Sequence, residues 1–396
     1  MLLLHATNLE NFVKYASLDV IWFLVGMMII LAMLKEAGVF YYLTTKILCI
    51  KNVSGVKIFV YMLIISYILS GLMGEVASII FVSSIIFSIC DFLEISPVPL
   101  LISCIITTNI GSATTVLGNP IGVLIAIRGK LSFEDFIINS LPTTFICLIL
   151  SIILLTFFYK EYINQISEKL KPHIENHFFL CLISIPMDKK TKISSAIFLI
   201  TVFLIALHRR LETLLNLEEN TLLVIIPIII AGLVLIVNKE KAKDYIEKEL
   251  EWNSLLFFLF LFAQAGVIQS SGIAEKISEK IVSLSGSNKN LLSFSLLFSS
   301  GCLSSVLDNV VVVASYIPIV NSLKKILADT SSFWWAILWG GCFGGNITMI
   351  GSTANIIALG FLEKNYRIKI NFFEWLKVGL TVGILTILIS YLFLLF

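Results

Sequence analysis

Two acidic residues stand inside apolar stretches and carry the sharpest chemical signal in this sequence. Glu75 separates the apolar runs 58–73 and 76–93, and Asp308, followed by Asn309, separates 291–307 from 310–323. A carboxylate among so many apolar residues is costly and is usually kept for function, because it can exchange a proton for a cation or a substrate. The structural alternative is that one or both acids only cap a helix end at a turn. Neutral polar groups gather at two further places. Asn109, Gly111, Ser112, Thr114, Thr115 and Asn119 lie in TTNIGSATTVLGNPIG, and Gly345, Asn346, Thr348, Ser352, Thr353 and Asn355 lie in GGCFGGNITMIGSTAN. Glycines, a proline and small hydroxyl residues in the middle of an apolar segment are the look of a discontinuous membrane helix. Its broken ends expose N–H groups that favour anions and C=O groups that favour cations. The same small residues also let helices pack closely.

The elements that position these residues follow from composition. Of 396 residues, 58% are hydrophobic and 14% charged, against about 25% charged in a soluble domain. So much apolar surface cannot be hidden in a soluble domain, and it also excludes disorder. About 20 apolar residues cross a bilayer as a helix. The chain therefore reads as an all-α polytopic membrane protein. The runs 58–73 and 76–93 are short and joined by a polar tip, which predicts a re-entrant hairpin. The runs flanking Asp308-Asn309 predict a second one. Non-helical backbone at membrane depth is tolerated where protein or a wet cavity covers it.

Shifting the chain by 233 residues lays Glu75 on Asp308, Gly111 on Gly344, Thr115 on Thr348 and Gly118 on Gly351. The order of features agrees too: apolar helix, polar-tipped hairpin, broken helix, final helix. This predicts an internal repeat. Its divisions are an N-terminal segment 1–18, a first repeat 19–159 (tip near 74–76, break 109–120), a cytoplasmic linker 160–192 and a second repeat 193–396 (tip near 307–309, break 344–355). Placing most of the 28 Lys and Arg residues inside orients the first helix from outside to inward. The two hairpins then open to opposite faces, so the repeat is inverted, as in many transporters. The linker is mixed in charge and predicts a surface helix, with His173 and His177 four residues apart as interfacial histidines rather than metal ligands.

What is missing narrows the function. A net charge of +2 gives no reason to expect nucleic acid, and the seven cysteines form no CxxC pair. No Walker motif, HExxH or Ser-His-Asp order is present, so no enzyme is predicted. No metal site or cofactor is expected beyond H⁺ or Na⁺ as coupling ion. The candidate core holds no Arg or Lys apart from Lys324 and Lys325 at a hairpin end.

At these residues the sequence resembles a known group. NIGSATTVLGNPIG is similar to the first-half signature of the arsenite-permease, P-protein and NhaD-type antiporter group. LDNVVVVASYIP followed by GGNITMIGSTANIIALG is similar to its second-half signature. That group belongs to an ion-transporter superfamily with citrate and dicarboxylate carriers. The resemblance covers the chain from about residue 19 onward. It implies two hairpins and two broken helices per protomer, a homodimer, and an elevator-like movement of a transport part against a scaffold. It also implies a substrate site between the hairpin tips and the helix breaks. Departures are Glu75-Val76 where relatives carry Asp-Asn, and Asn119-Pro120-Ile121-Gly122 where they carry Asp-Pro-Pro-Asn. Relatives also carry two helices before the first one seen here.

The expected function is a secondary transporter in the cytoplasmic membrane. It moves a small inorganic ion or oxyacid, such as Na⁺ or arsenite, coupled to H⁺ or Na⁺. The alternatives are a citrate or dicarboxylate carrier and a passive channel. An ATPase subunit docked on the linker is conceivable by analogy with arsenite permeases, but no residue indicates one.

Overall fold

The structure, a computed structural model, describes residues 15–39, 42, 54–174, 188–285, 288–327 and 329–395. These residues are mostly helical, with no strand among them. The first half comprises α1 (Leu18–Glu36), α2 (Gly55–Met73), α3 (Glu75–Leu93), α4 (Val98–Ser112), α5 (Pro120–Gly129) and α6 (Phe133–Phe158). After it come α7 (Lys160–Ile174), α8 (Lys189–Ala206), α9 (His208–Leu215), α10 (Thr221–Val237) and α11 (Lys239–Glu249). The second half continues with α12 (Trp252–Ser270), α13 (Ile273–Ser285), α14 (Lys289–Ser304), α15 (Asn309–Leu323), α16 (Ser331–Gly344), α17 (Thr353–Tyr366) and α18 (Phe372–Leu394). Helices α1, α2, α3, α6 and α18 are each long and apolar enough to cross a membrane. The pairs α8–α9 and α11–α12, bent by 61° and 58°, raise the count among the described residues from five to seven if each pair is one span. The chain is a multi-pass membrane protein.

The first hairpin turns at Gly74, whose φ of +91° is one that a side chain would oppose. Gly74 N–H closes α2 on Ser70 O at 3.1 Å, and Glu75 opens α3. The limbs are longer than the apolar run 58–73 suggests. Ser54 caps the helix by accepting from Lys57 N, so α2 starts three residues earlier and both limbs reach 19 residues. At 1.5 Å per residue that is about 28 Å. The second hairpin keeps shorter limbs, 16 and 15 residues in α14 and α15.

Each broken helix is cut by its own capping residues. Asn119 Oδ1 accepts from Gly122 N at 2.7 Å, and Pro120 fills the first position of α5, where a missing N–H costs nothing. Ser352 accepts from Ala354 N at 3.2 Å to start α17. The breaks are narrower than the sequence suggests. Asn109, Gly111 and Ser112 still belong to α4, and Asn355 already belongs to α17.

Two peripheral features tie the frame. Helix α7 lays Tyr162, Ile163, Ile166 and Leu170 against the protein, and Ser167 Oγ accepts from Gly55 N at 3.0 Å. It is the surface helix expected in the linker; residues 175–187, and with them the pairing of His173 and His177, fall outside the described residues. In the exposed loop before α16, a hydrogen bond from Lys289, then those from Ser331, hold the Asp329 carboxyl well below the usual carboxylate range.

Glu212 of α9 is buried and accepts from Asn220 N at 3.0 Å and Leu222 N at 2.7 Å, two amides at the start of α10. Glu212→Ala leaves both unpaired. The expected cost is about 1–3 kcal/mol, read as a lower Tm of the purified protein in detergent.

Candidate functional site

Glu75 sits at the start of α3 with 2% of its surface exposed. Both its carboxylate oxygens lie 3.4 Å from Asn309 Nδ2. Those long contacts are weak compensation for a desolvated carboxylate. Asn309 is itself fully buried, and its Oδ1 has no hydrogen-bond partner. An acid and an orphaned acceptor side by side call for a positive species between them or a proton on the acid.

Asp308 is different. It is partly exposed; Oδ1 accepts from Val310 N at 2.9 Å and Oδ2 accepts from Thr353 Oγ1 at 2.6 Å. It caps α15 and ties that helix to the start of α17. The two tip acids occupy matched positions with unequal surroundings.

The asparagines of the two breaks face one another. Asn109 Nδ2 donates to Asn346 Oδ1 at 2.8 Å and to Asn355 Oδ1 at 2.9 Å. Ser352 Oγ donates to Asn109 Oδ1 at 3.1 Å, and Asn355 Nδ2 donates to the carbonyls of Gly345 and Thr348 at 2.8 and 3.0 Å. These groups join the halves through a buried polar crossing in which each side-chain oxygen already has a donor. Four further candidates bond within their own halves. Ser112 Oγ donates to Asn109 O at 2.9 Å and Thr114 Oγ1 to Thr144 Oγ1 at 3.1 Å. Thr115 Oγ1 donates to Gly71 O and Thr348 Oγ1 to Ser305 O. Gly111 lets α4 approach the Tyr67 backbone of α2.

Contacts between the halves exchange when the halves are exchanged. Asn119 Nδ2 donates to Cys342 Sγ at 3.1 Å; the counterparts of these two residues are Ser352 and Asn109, bonded at the same distance. Helix α5 packs on α15, and its counterpart α17 packs on α3. Upstream of the hairpin tips the offset between halves becomes 234, as Gly71 and Ser305 show, because the second tip turns in one residue fewer.

Glu75 faces a cavity of about 100 Å³ walled by Phe23, Met27, Gly74, Asn119, Phe258 and Thr353, among others, with no Lys or Arg in the wall. A wider vestibule of about 380 Å³ adjoins it, sharing Met28, Leu31, Ala77 and Glu251. It lies between α1 (Met28, Leu31, Ala32) and α3 (Phe81, Ser84, Ser88). A second vestibule of about 340 Å³ lies between α12 (Phe262, Ala265, Gly266) and α15 (Ala314, Ile317, Asn321), the equivalent positions of the other half. It shares no wall residue with the Glu75 cavity.

Sequence reasoning missed Glu251 and Cys342. Glu251 closes a charged tract and looks like an ordinary helix-end acid. Its only sequence signal is the offset of 234, which places it on Ser17, the residue before α1. Cys342 reads as a small apolar residue, yet it accepts the Asn119 amide.

Known proteins share this sequence along most of its length. An uncharacterized transporter of Mycobacterium tuberculosis strain H37Rv is 28% identical over 381 residues, which covers 95% of this chain and 85% of the relative. A 46 kDa membrane protein of Mycobacterium leprae is 27% identical over 380 residues, with the same coverage of 95% and 85%. The P protein of Sus scrofa is 24% identical over 458 residues, covering 98% of this chain and 54% of that protein, in agreement with the resemblance read from the motifs. A family model described as citrate transporter matches residues 1–340 and 260–396. With its multi-pass helical fold, hairpins and broken helices, the chain belongs to the citrate transporter family (CitMHS) and is a membrane transporter of that family.

Proposed function

We propose that the protein is a secondary active transporter that moves a small inorganic ion or oxyacid against H⁺ or Na⁺, with Glu75 as the coupling carboxylate. The observation that carries this reading is the buried Glu75, 3.4 Å from the Asn309 amide, in a cavity without a basic side chain. Such a cavity suits a cation, a proton or a neutral oxyacid, and opposes a bare polyanion. The exchange of contacts between halves, and the paired vestibules, support an inverted repeat that opens the site to each face in turn. In this reading the two vestibules face opposite sides of the cytoplasmic membrane. Hairpins and broken helices form the moving part of an elevator-like cycle, on a scaffold that pairs two copies of the chain.

A second reading has one observation in its favour, the family's description as citrate transporter. Citrate would then enter with bound cations that offset both its charge and that of Glu75.

A gradient-collapse assay in proteoliposomes tests both. A proton gradient is imposed and Na⁺, Li⁺, arsenite, silicate or citrate is added in turn. Collapse by Na⁺ or Li⁺, or by an oxyacid, supports the first reading. Collapse or uptake with citrate only when a divalent cation is present supports the second. No response to any of them, with either H⁺ or Na⁺ as driving ion, overturns the proposal. Asp308→Asn retains an oxygen for the Val310 cap and removes one charge. It is expected to fold normally and to lose about tenfold in coupled flux, the size of one pKa unit of charge interaction.

A further inference from the structure

Glu251 lies between α11 and α12, at their 58° bend, and lines both the Glu75 cavity and the first vestibule. Its carboxylate accepts one side-chain bond, from Ser254 Oγ at 3.1 Å, and pairs with no basic side chain among the described residues. The other charges lining this vestibule cancel, since Lys35 Nζ meets Glu249 Oε2 at 2.7 Å. Glu251 is therefore the uncompensated charge between the vestibule and Glu75.

The other half holds no carboxylate at the matching place. The offset of 234 puts Ser17 where Glu251 stands, and Ser17 lines the second vestibule. Arg128 Nη2 donates to Ser17 Oγ at 2.5 Å and is the one charged residue in that vestibule's wall. The first mouth thus presents a carboxylate, where the second presents a neutral serine bonded to a guanidinium. A confined negative charge concentrates cations before they bind, and a positive one repels them.

We propose that Glu251, seated by Ser254, is a holding station for the coupling cation between the first vestibule and Glu75, and that the second vestibule has no such station. The titratable groups facing it are Glu75 across the cavity and the paired Lys35 and Glu249 in the vestibule. The inference rests on the transport reading above. It goes beyond that reading by giving cation access a side and a residue.

The test uses the full chain in proteoliposomes of known orientation, with initial rates of coupled flux measured from each face. For Glu251→Gln the expected result is an apparent KM for the cation raised about tenfold at the face bearing Lys35, the lower end of what electrostatic focusing supplies. The maximal rate should be little changed, as should KM at the opposite face. Glu251→Asp should restore most of the affinity, which a folding defect would not. If the cation is H⁺, the shift appears in the pH profile without Na⁺; if it is Na⁺, it appears in a Na⁺ titration at fixed pH. An unchanged KM, or one raised equally at both faces, overturns the station and leaves the role of Glu75 intact. Wild-type protein that carries neither H⁺ nor Na⁺ overturns both.

Discussion

Glu75→Gln is expected to lower cation-coupled flux by about a hundredfold or more, the scale of losing a proton-transferring group. The protein should remain folded. Glutamine has the same shape, its oxygen can still accept from Asn309 Nδ2, and its amide can donate to Asn309 Oδ1, which has no partner in the wild-type protein. The substitution exchanges a poorly compensated buried charge for a satisfied amide pair, so Tm should stay level or rise. Flux in proteoliposomes and Tm in detergent therefore move independently. Wild-type flux in this variant would remove Glu75 from the coupling mechanism. A collapse of Tm together with flux would mean that the carboxylate holds the hairpin tip instead.

Gly111→Val is expected to produce the largest loss of stability. A Cβ at Gly111 meets the carbonyl oxygen and Cα of Tyr67, backbone atoms of α2 that no rotamer change can move aside. Overpacking a rigid contact costs about 1–3 kcal/mol and occasionally more, and this contact belongs at the upper end because both partners are helical backbone. Gly344 meets the backbone of Gly301 in the same way, so its valine variant should behave alike. Gly232 in α10 is the control, with no atom near its missing Cβ. Gly232→Ala should stabilise by about 0.5–1 kcal/mol. Tm and the yield of monodisperse protein report all three. A Gly111→Val protein as stable as wild type would mean that α2 and α4 separate at this point without cost.

The membrane class, both tip acids and both helix breaks were legible in the sequence. Each follows from one rule of the bilayer. Where lipid or a dry interior surrounds the chain, polar and helix-breaking residues are expensive, so those at Glu75, Asp308, 109–119 and 345–355 stand out against the apolar runs. Helix ends were less legible, because capping is a local hydrogen bond that hydropathy does not register. Ser54 therefore extended α2 beyond its apolar run.

Only the tertiary structure decided which polar groups are already satisfied. Asp308 and Glu75 match in sequence, yet Asp308 has two good donors, whereas the Asn309 amide stands 3.4 Å from both oxygens of Glu75. Asn109, Asn346 and Asn355 looked like ligands, and the fold turned them toward one another. Glu251 looked like a helix-end acid until the bend before α12 set it between two cavities. Hydropathy along a chain records the cost of a polar residue one position at a time. The compensation for that cost comes from residues far along the chain, 246 positions apart for Asn109 and Asn355, and only folding brings them together.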